Sequence, residues 1–389
     1  MLNKRQVGLL IVAGLLVASA GAAQIPLYHQ AVIDLGPYFN DTTGYGDNPL
    51  SVAFDGVNAY VGGYKATTAS PGTVGVVRID SVLGPLPGFT PLSNTLFTCP
   101  QLRGLDALAY EPGTGALLMS HDSGTAGTSF ISRRDPADGS VVWTVNGPQN
   151  ARPFAMAIDP VGDNGSPGVA FLTQGSGRRR LLSLATGATI FDGTNGGIIN
   201  TSPDSGTTWR AIAFDDVGNV VVANQRAYGY GVRNTYNQWM TLGGTLNLTT
   251  RSVLKSVEVN NVGQGIVILE DLGSDLLAFS CRRTDPNNFT MRLTDALGGF
   301  TDVDTRRVLI RNLDGTTTGL TQLELVGDED GIGTPWTSDI KNLAFGHDSL
   351  GRPVLLVVDF VGRRLDVYLV PEPAAVILAL SGLLMLRRR

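Results

Sequence analysis

A short unit recurs along this chain: an apolar strand, an acidic or glycine-containing turn, and a second apolar strand. The first copy reads Leu50-Ser51-Val52-Ala53-Phe54-Asp55-Gly56, then Ala59-Tyr60-Val61-Gly62-Gly63. The second begins at Asp106-Ala107-Leu108-Ala109-Tyr110-Glu111, the third at Phe154-Ala155-Met156-Ala157-Ile158-Asp159, and the fourth at Ala211-Ile212-Ala213-Phe214-Asp215. A fifth is read at Ser256-Val257-Glu258-Val259 followed by Gly265 to Leu269, and the last at Asn342 to Asp348 followed by Val354 to Asp359. The anchor positions 54, 110, 158, 214, 259 and 345 lie 56, 48, 56, 45 and 86 residues apart. The first four gaps suit a four-stranded propeller blade of ~40–50 residues with loop insertions. The long last gap means either a degenerate blade near Arg307 to Val326 or a large insertion in the fifth copy.

Outer strands keep the same rhythm. Phe130 to Arg133 leads through Asp135-Pro136-Ala137-Asp138-Gly139 into Val141-Val142-Trp143, and Leu181 to Leu184 leads through Ala185-Thr186-Gly187 into Thr189-Ile190-Phe191. Each is a hairpin whose glycine supplies a positive φ. A pair of β-sandwiches also shows regular short strands, but does not repeat one unit every ~50 residues. The pattern therefore predicts an all-β chain, a six- to seven-bladed β-propeller over residues 24–369. It resembles NHL-like and related propellers in general and lacks the full WD40 and kelch signatures. Closure of such a ring requires the last strand, Arg364 to Leu369, to meet one near Ala31 to Leu35.

Composition agrees with short strands and many turns: 49 of 389 residues are glycine and only 16% are charged. The formal charge of −5 includes the basic ends; without them the body is more acidic, near −9. An acidic body of low charge density argues against nucleic acid as a partner.

Residues 1–23 have the form of a signal peptide: Lys4 and Arg5, an apolar core from Val7 to Val17, then small residues that permit cleavage after Ala20, Ala22 or Ala23. The alternative, an N-terminal anchor, is disfavoured by so short a core. At the other end Val370-Pro371-Glu372-Pro373 precedes thirteen uncharged residues, Ala374 to Leu386, and then Arg387-Arg388-Arg389. As a helix of ~1.5 Å per residue that run spans about 20 Å, short of a ~30 Å hydrocarbon core. The arginines favour a cytoplasmic C-terminus, which leaves the body outside. Residues 370–389 resemble the PEP-CTERM sorting signal, a tail also labelled an ice-binding-protein C-terminal domain. The resemblance implies an exosortase-type sorting protease as partner, cleavage near the motif, transient membrane insertion, and delivery to the cell surface or extracellular matrix. The tail is an address, so the label does not imply ice binding.

The body carries no catalytic constellation. His121-Asp122-Ser123 and His347-Asp348-Ser349 follow strands of the repeat, which places them at comparable blade positions, but adjacent residues on a strand point to opposite sides and form no triad. Acidic turns at Asp328-Glu329-Asp330-Gly331, Asp302 with Asp304, and Asp159 with Asp163 and Asn164 supply oxygen donors for calcium without an EF-hand spacing; solvated turn acids are the commoner use. Gly175-Ser176-Gly177 before Arg178-Arg179-Arg180 lacks the lysine of a P-loop and reads as a basic loop facing acidic polysaccharide. Tyr228 and Tyr230, flanked by Arg226 and Arg233, suit a sugar-stacking ligand loop or a loop packed over a blade edge. Cys99 and Cys281 are either one disulfide or two buried thiols.

The function expected is that of an exported, non-enzymatic binding or scaffold protein whose partner is extracellular polysaccharide. The alternative is a lactonase- or esterase-like hydrolase with a channel metal, which requires several Asp, Asn or Glu side chains converging on the axis.

Overall fold

The computed structural model describes residues 27–40, 42–65, 72–84, 97–123, 128–146, 153–163, 166–173, 179–192, 208–215, 219–225, 235–241, 253–259, 262–270, 276–281, 290–294, 300–304, 306–312, 324–329, 331–336 and 341–369. Among them every regular element is a strand. The leader, the sorting tail and the Arg226–Arg233 loop lie outside the described residues.

The first strand, β1 (Tyr28–Asp34), is followed by β2 (Asn48–Phe54), β3 (Ala59–Tyr64), β4 (Gly72–Val74), β5 (Val76–Ile79) and β6 (Cys99–Leu102). β3 lies between β2 and β5, while β4 and β6 form a small ladder of their own. Next come an antiparallel meander of β7 (Gly104–Glu111), β8 (Ala116–Asp122), β9 (Phe130–Arg134) and β10 (Val141–Asn146), and another of β11 (Pro153–Asp163), β12 (Ser166–Thr173), β13 (Arg179–Ser183) and β14 (Thr189–Asp192). A third meander joins β15 (Thr208–Phe214), β16 (Asn219–Gln225), β17 (Thr235–Thr241) and β18 (Val253–Val259). Then β19 (Val262–Leu269) pairs with β20 (Leu276–Cys281), and the hairpin β21 (Thr290–Thr294)–β22 (Phe300–Asp304) is inserted before β23 (Val308–Asn312) and β24 (Glu324–Leu325) complete that sheet. The chain ends its strands with β25 (Lys341–His347), β26 (Pro353–Asp359) and β27 (Arg364–Leu369).

β1 pairs with β27, Tyr28 opposite Leu369 and Asp34 opposite Arg364, so the expected closure between the first and last strands is present. The leading strands β2, β7, β11, β15, β19 and β25 ring a common axis: each packs on the next, and β25 packs back on β2.

The repeat explains this packing. Side chains alternate across a strand, so Val52 and Phe54 join a cluster with Val354, Leu356 and Val358 of the last sheet, while Ala53 joins one with Leu105 and Leu108 of the following sheet. Leu108 in turn faces back toward β2, and Ala107 packs near Met156. Large residues wedge against the preceding sheet; the alanines between them let the next sheet approach where the strands converge on the axis.

One expectation is corrected, and of the two readings of the long last gap the second holds. Val253–Val259 is the outer strand of the fourth meander, and the leading strand of the fifth unit is Val262–Leu269. The long last gap is an insertion: β21 and β22 intervene, and Val308–Asn312 belongs to the same sheet as β19 and β20. Gly139 and Gly187 do adopt positive φ, 77° and 72°, in the expected hairpins.

Candidate functional site

The axis holds a cavity of about 290 Å³ that opens where the leading strands end. Consecutive residues line it on each strand: Val52-Ala53-Phe54, Leu108-Ala109-Tyr110 and Met156-Ala157-Ile158, for example. Alternation makes this impossible for a strand presenting its face, so each strand presents its edge. Apart from a single bridge between Tyr64 and Gly104, the described leading strands have no ladder on that edge, and their backbone N–H and C=O groups there face the cavity.

Side chains add two layers. Around the mouth stand Phe54, Tyr110, Ile158, Phe214, Ile268 and Phe345, with Glu270 and His347 on the rim. Phe345 and His347 meet edge to face at 5.5 Å. Deeper in, Leu108, Met156, Ile212, Ile266 and Leu343 border both this cavity and a second space of only about 50 Å³, which Asp106 and Asn342 line at the far end. Ser51 ties the ring at that end by donating from Oγ to the Leu105 carbonyl at 2.6 Å.

The acid that closes the first repeat serves its turn. Asp55 accepts from the Val57 amide at 2.8 Å and, through its other oxygen, from Asn58 Nδ2 at 2.9 Å and Tyr60 Oη at 3.0 Å. Burial first, and then Asp55, raise the Tyr60 phenol well above its ordinary range. Glu111 takes Arg133, with Nη2 at 2.9 Å. Asp159 and Asp215 are buried. Glu329 accepts from the Val326 amide and from Tyr368 Oη, the latter at 2.9 Å. The converging carboxylates that a channel metal needs are not found on the described wall, and no group of three or more His, Cys, Asp or Glu suited to a metal ion occurs among the described residues.

The two histidine motifs are not equivalent, contrary to expectation. His121 sits on β8, one strand out from the axis, and His347 ends β25 on the axis. His121 is fully buried, stacks on Phe130 at 4.0 Å and shares a 2.7 Å hydrogen bond with Ser132 Oγ. Burial, and secondarily Arg134, hold its pKa well below the ordinary value. Cys99 is a free, buried thiol whose sulfur accepts from Arg134 Nη2 at 3.5 Å; burial pushes its pKa up and Arg134 partly opposes this.

A second polar cluster closes the ring. Asp366 on β27 is fully buried; His29 Nε2 of β1 lies 2.9 Å from its Oδ1, while Arg364 Nε at 3.0 Å and Trp336 Nε1 at 3.1 Å reach Oδ2. His29 also stacks on Tyr368 at 4.7 Å. Arg364 donates further to Thr334 Oγ1 at 2.8 Å and to the Thr334 carbonyl. Gly327 sits beneath this cluster at φ 91°, where a Cβ would lie 2.6 Å from Trp336 Nε1. Sequence reading did not find this cluster, because its members are scattered over more than 300 positions.

The ring of leading strands, with antiparallel sheets running outward and the first strand completing the last sheet, defines a β-propeller. No protein-family model matches the chain, and no curated protein matches it in sequence. Similar solved structures include the Dos1 propeller, 11% identical with a TM-score of 0.43 over 88% of this chain and 95% of that one. The β-propeller domain of Cps50 (Swd1) from Myceliophteria thermophila is 12% identical, with a TM-score of 0.47 over 89% and 100%. A protein of unknown function from Bacteroides caccae is 11% identical, with a TM-score of 0.32 over 59% and 62%.

Proposed function

We propose that this protein is an exported, six-bladed β-propeller that is processed at both ends and binds extracellular polysaccharide at the cell surface without acting on it chemically. The observation that supports this reading best is the pairing of Tyr28 with Leu369. The strand after the leader and the strand before the Val370-Pro371-Glu372-Pro373 motif leave one edge of one sheet side by side. A signal peptide of residues 1–23 and a sorting tail of residues 370–389 would then attach at one point of the body, which suits a body held on one side of a membrane. The leader and the arginine-ended tail each call for the same outward orientation. An exosortase-type protease is the partner that the tail implies, and the Arg226–Arg233 loop with Tyr228 and Tyr230 remains a second candidate contact for sugars.

Intact-mass measurement of the protein from culture medium, envelope and membrane fractions tests this. The expected surface species has lost residues 1–23 and the tail with Arg387, Arg388 and Arg389. A single species retaining Arg389 in every fraction would overturn the processing step.

A further inference from the structure

We infer that the wide mouth of the axial cavity is a blind pocket for one neutral sugar ring at the end of a glycan chain. The inference rests on the polysaccharide-binding reading above and adds the place, the charge and the manner of recognition.

Volume comes first. The cavity, about 290 Å³, is roughly twice the ~150 Å³ that accepts a benzene ring, and so has room for one six-membered ring carrying hydroxyls. Its wall has both halves of what a pyranose requires. Phe214 and Phe345 supply aromatic carbon for the C–H faces. The edges of the leading strands that carry no ladder among the described residues, with Glu270 and His347, supply donors and acceptors for the hydroxyls. A wholly apolar ligand would bury those backbone groups without partners, at a cost of about 1–3 kcal/mol for each one.

Charge and depth narrow the choice. Among the described residues no lysine or arginine lines the cavity, and Glu270 stands on its rim, so a uronic acid meets no counter-charge from them. The floor is the layer around Leu108, Met156 and Leu343, beyond which about 50 Å³ remains, room for a few waters only. Among the described residues this narrowing stops a glycan from threading through, so its terminal residue alone enters.

Saturation-transfer NMR on the full-length chain in detergent micelles tests this. The probes are methyl glycosides of glucose, galactose, mannose and N-acetylglucosamine, with glucuronate and indole alongside. The expected result is binding of at least one neutral glycoside, with an affinity unchanged when that sugar is extended to its hexasaccharide. Phe345→Leu should weaken binding about tenfold, the loss of ~1.4 kcal/mol of stacking. Ile158→Trp, which crowds the mouth, should abolish it, and thermal unfolding shows whether each variant is folded. If Ile158→Trp fails to fold, Phe345→Leu and the chain-length series decide. Binding of glucuronate or indole alone, affinity that climbs with chain length, full binding by a folded Ile158→Trp, or no bound glycoside would each overturn the pocket. The two readings fail separately: a correctly processed surface protein that binds no glycoside loses only the pocket, and a glycoside binder that keeps both ends loses only the sorting.

Discussion

The sheet that closes the ring and the sheet of β7–β10 both bury a histidine, in opposite surroundings. His29 lies against the carboxylate of Asp366, with Arg364 and Trp336 on the same group. His121 faces a hydroxyl and an aromatic ring, with the guanidinium of Arg134 nearby. The difference follows from connectivity. Strands β7–β10 are consecutive and separated by few residues in sequence, so little chain entropy opposes their pairing. In the closing sheet the partners β1 and β27 come from opposite ends of the body, and a buried, directional charge cluster helps fix their register. One histidine fastens distant strands; the other fills a core as a neutral ring.

The largest effect should come from Asp366→Ala. It leaves His29 and Arg364 buried without their carboxylate, and should cost about 3–5 kcal/mol in urea unfolding. A loss below 1 kcal/mol would mean that the cluster does not fasten the ring.

An acid response should come from His121. His121 has a folded pKa below its ordinary value of about 6.5, so the unfolded chain binds the proton more tightly. Its contribution is fully present above pH ~6.5 and falls as pH drops below that value. Replacing His121 by Gln should flatten the urea midpoint between pH 6.5 and 4.5 relative to wild type; an unchanged slope would assign acid sensitivity elsewhere.

Smaller effects come from two turns. Gly187, at φ 72° beneath Trp143, has a Cβ position 2.8 Å from the indole. Gly187→Ala should cost about 1–2 kcal/mol by strain and should disturb the Trp143 Nε1 bond to the Leu184 carbonyl, read from tryptophan emission. The Arg352–Asp348 pair at a turn of the closing sheet is partly exposed, so Arg352→Ala should shift stability by less than about 1 kcal/mol.

Much of the scaffold was legible in the sequence, because each repeat is a local pattern that packing then uses. The hairpin glycines were readable for the same reason, and the closing strand pair followed from the need of a repeat-built ring to close. The fifth unit was placed one strand early because Glu258 imitates the turn acid, whereas the acid after Ile268 is displaced by Leu269 to Glu270. The pocket was less visible. Phe54, Tyr110, Phe214 and Phe345 occupy one repeat position and look like ordinary core; only their shared aromatic character near the ends of four of the six leading strands hinted at a common mouth. The cluster at Asp366 had no local signal, since ring closure alone brings His29, Trp336 and Asp366 together.

Hydrogen exchange, resolved by residue, tests the closed ring most directly. If β1 completes the last sheet, its amides bonded to β27 will exchange only in the same global opening as those of β26 and β27. Exchange of the β1 amides within seconds, while β26 and β27 stay protected, would contradict a ring fastened by its two ends.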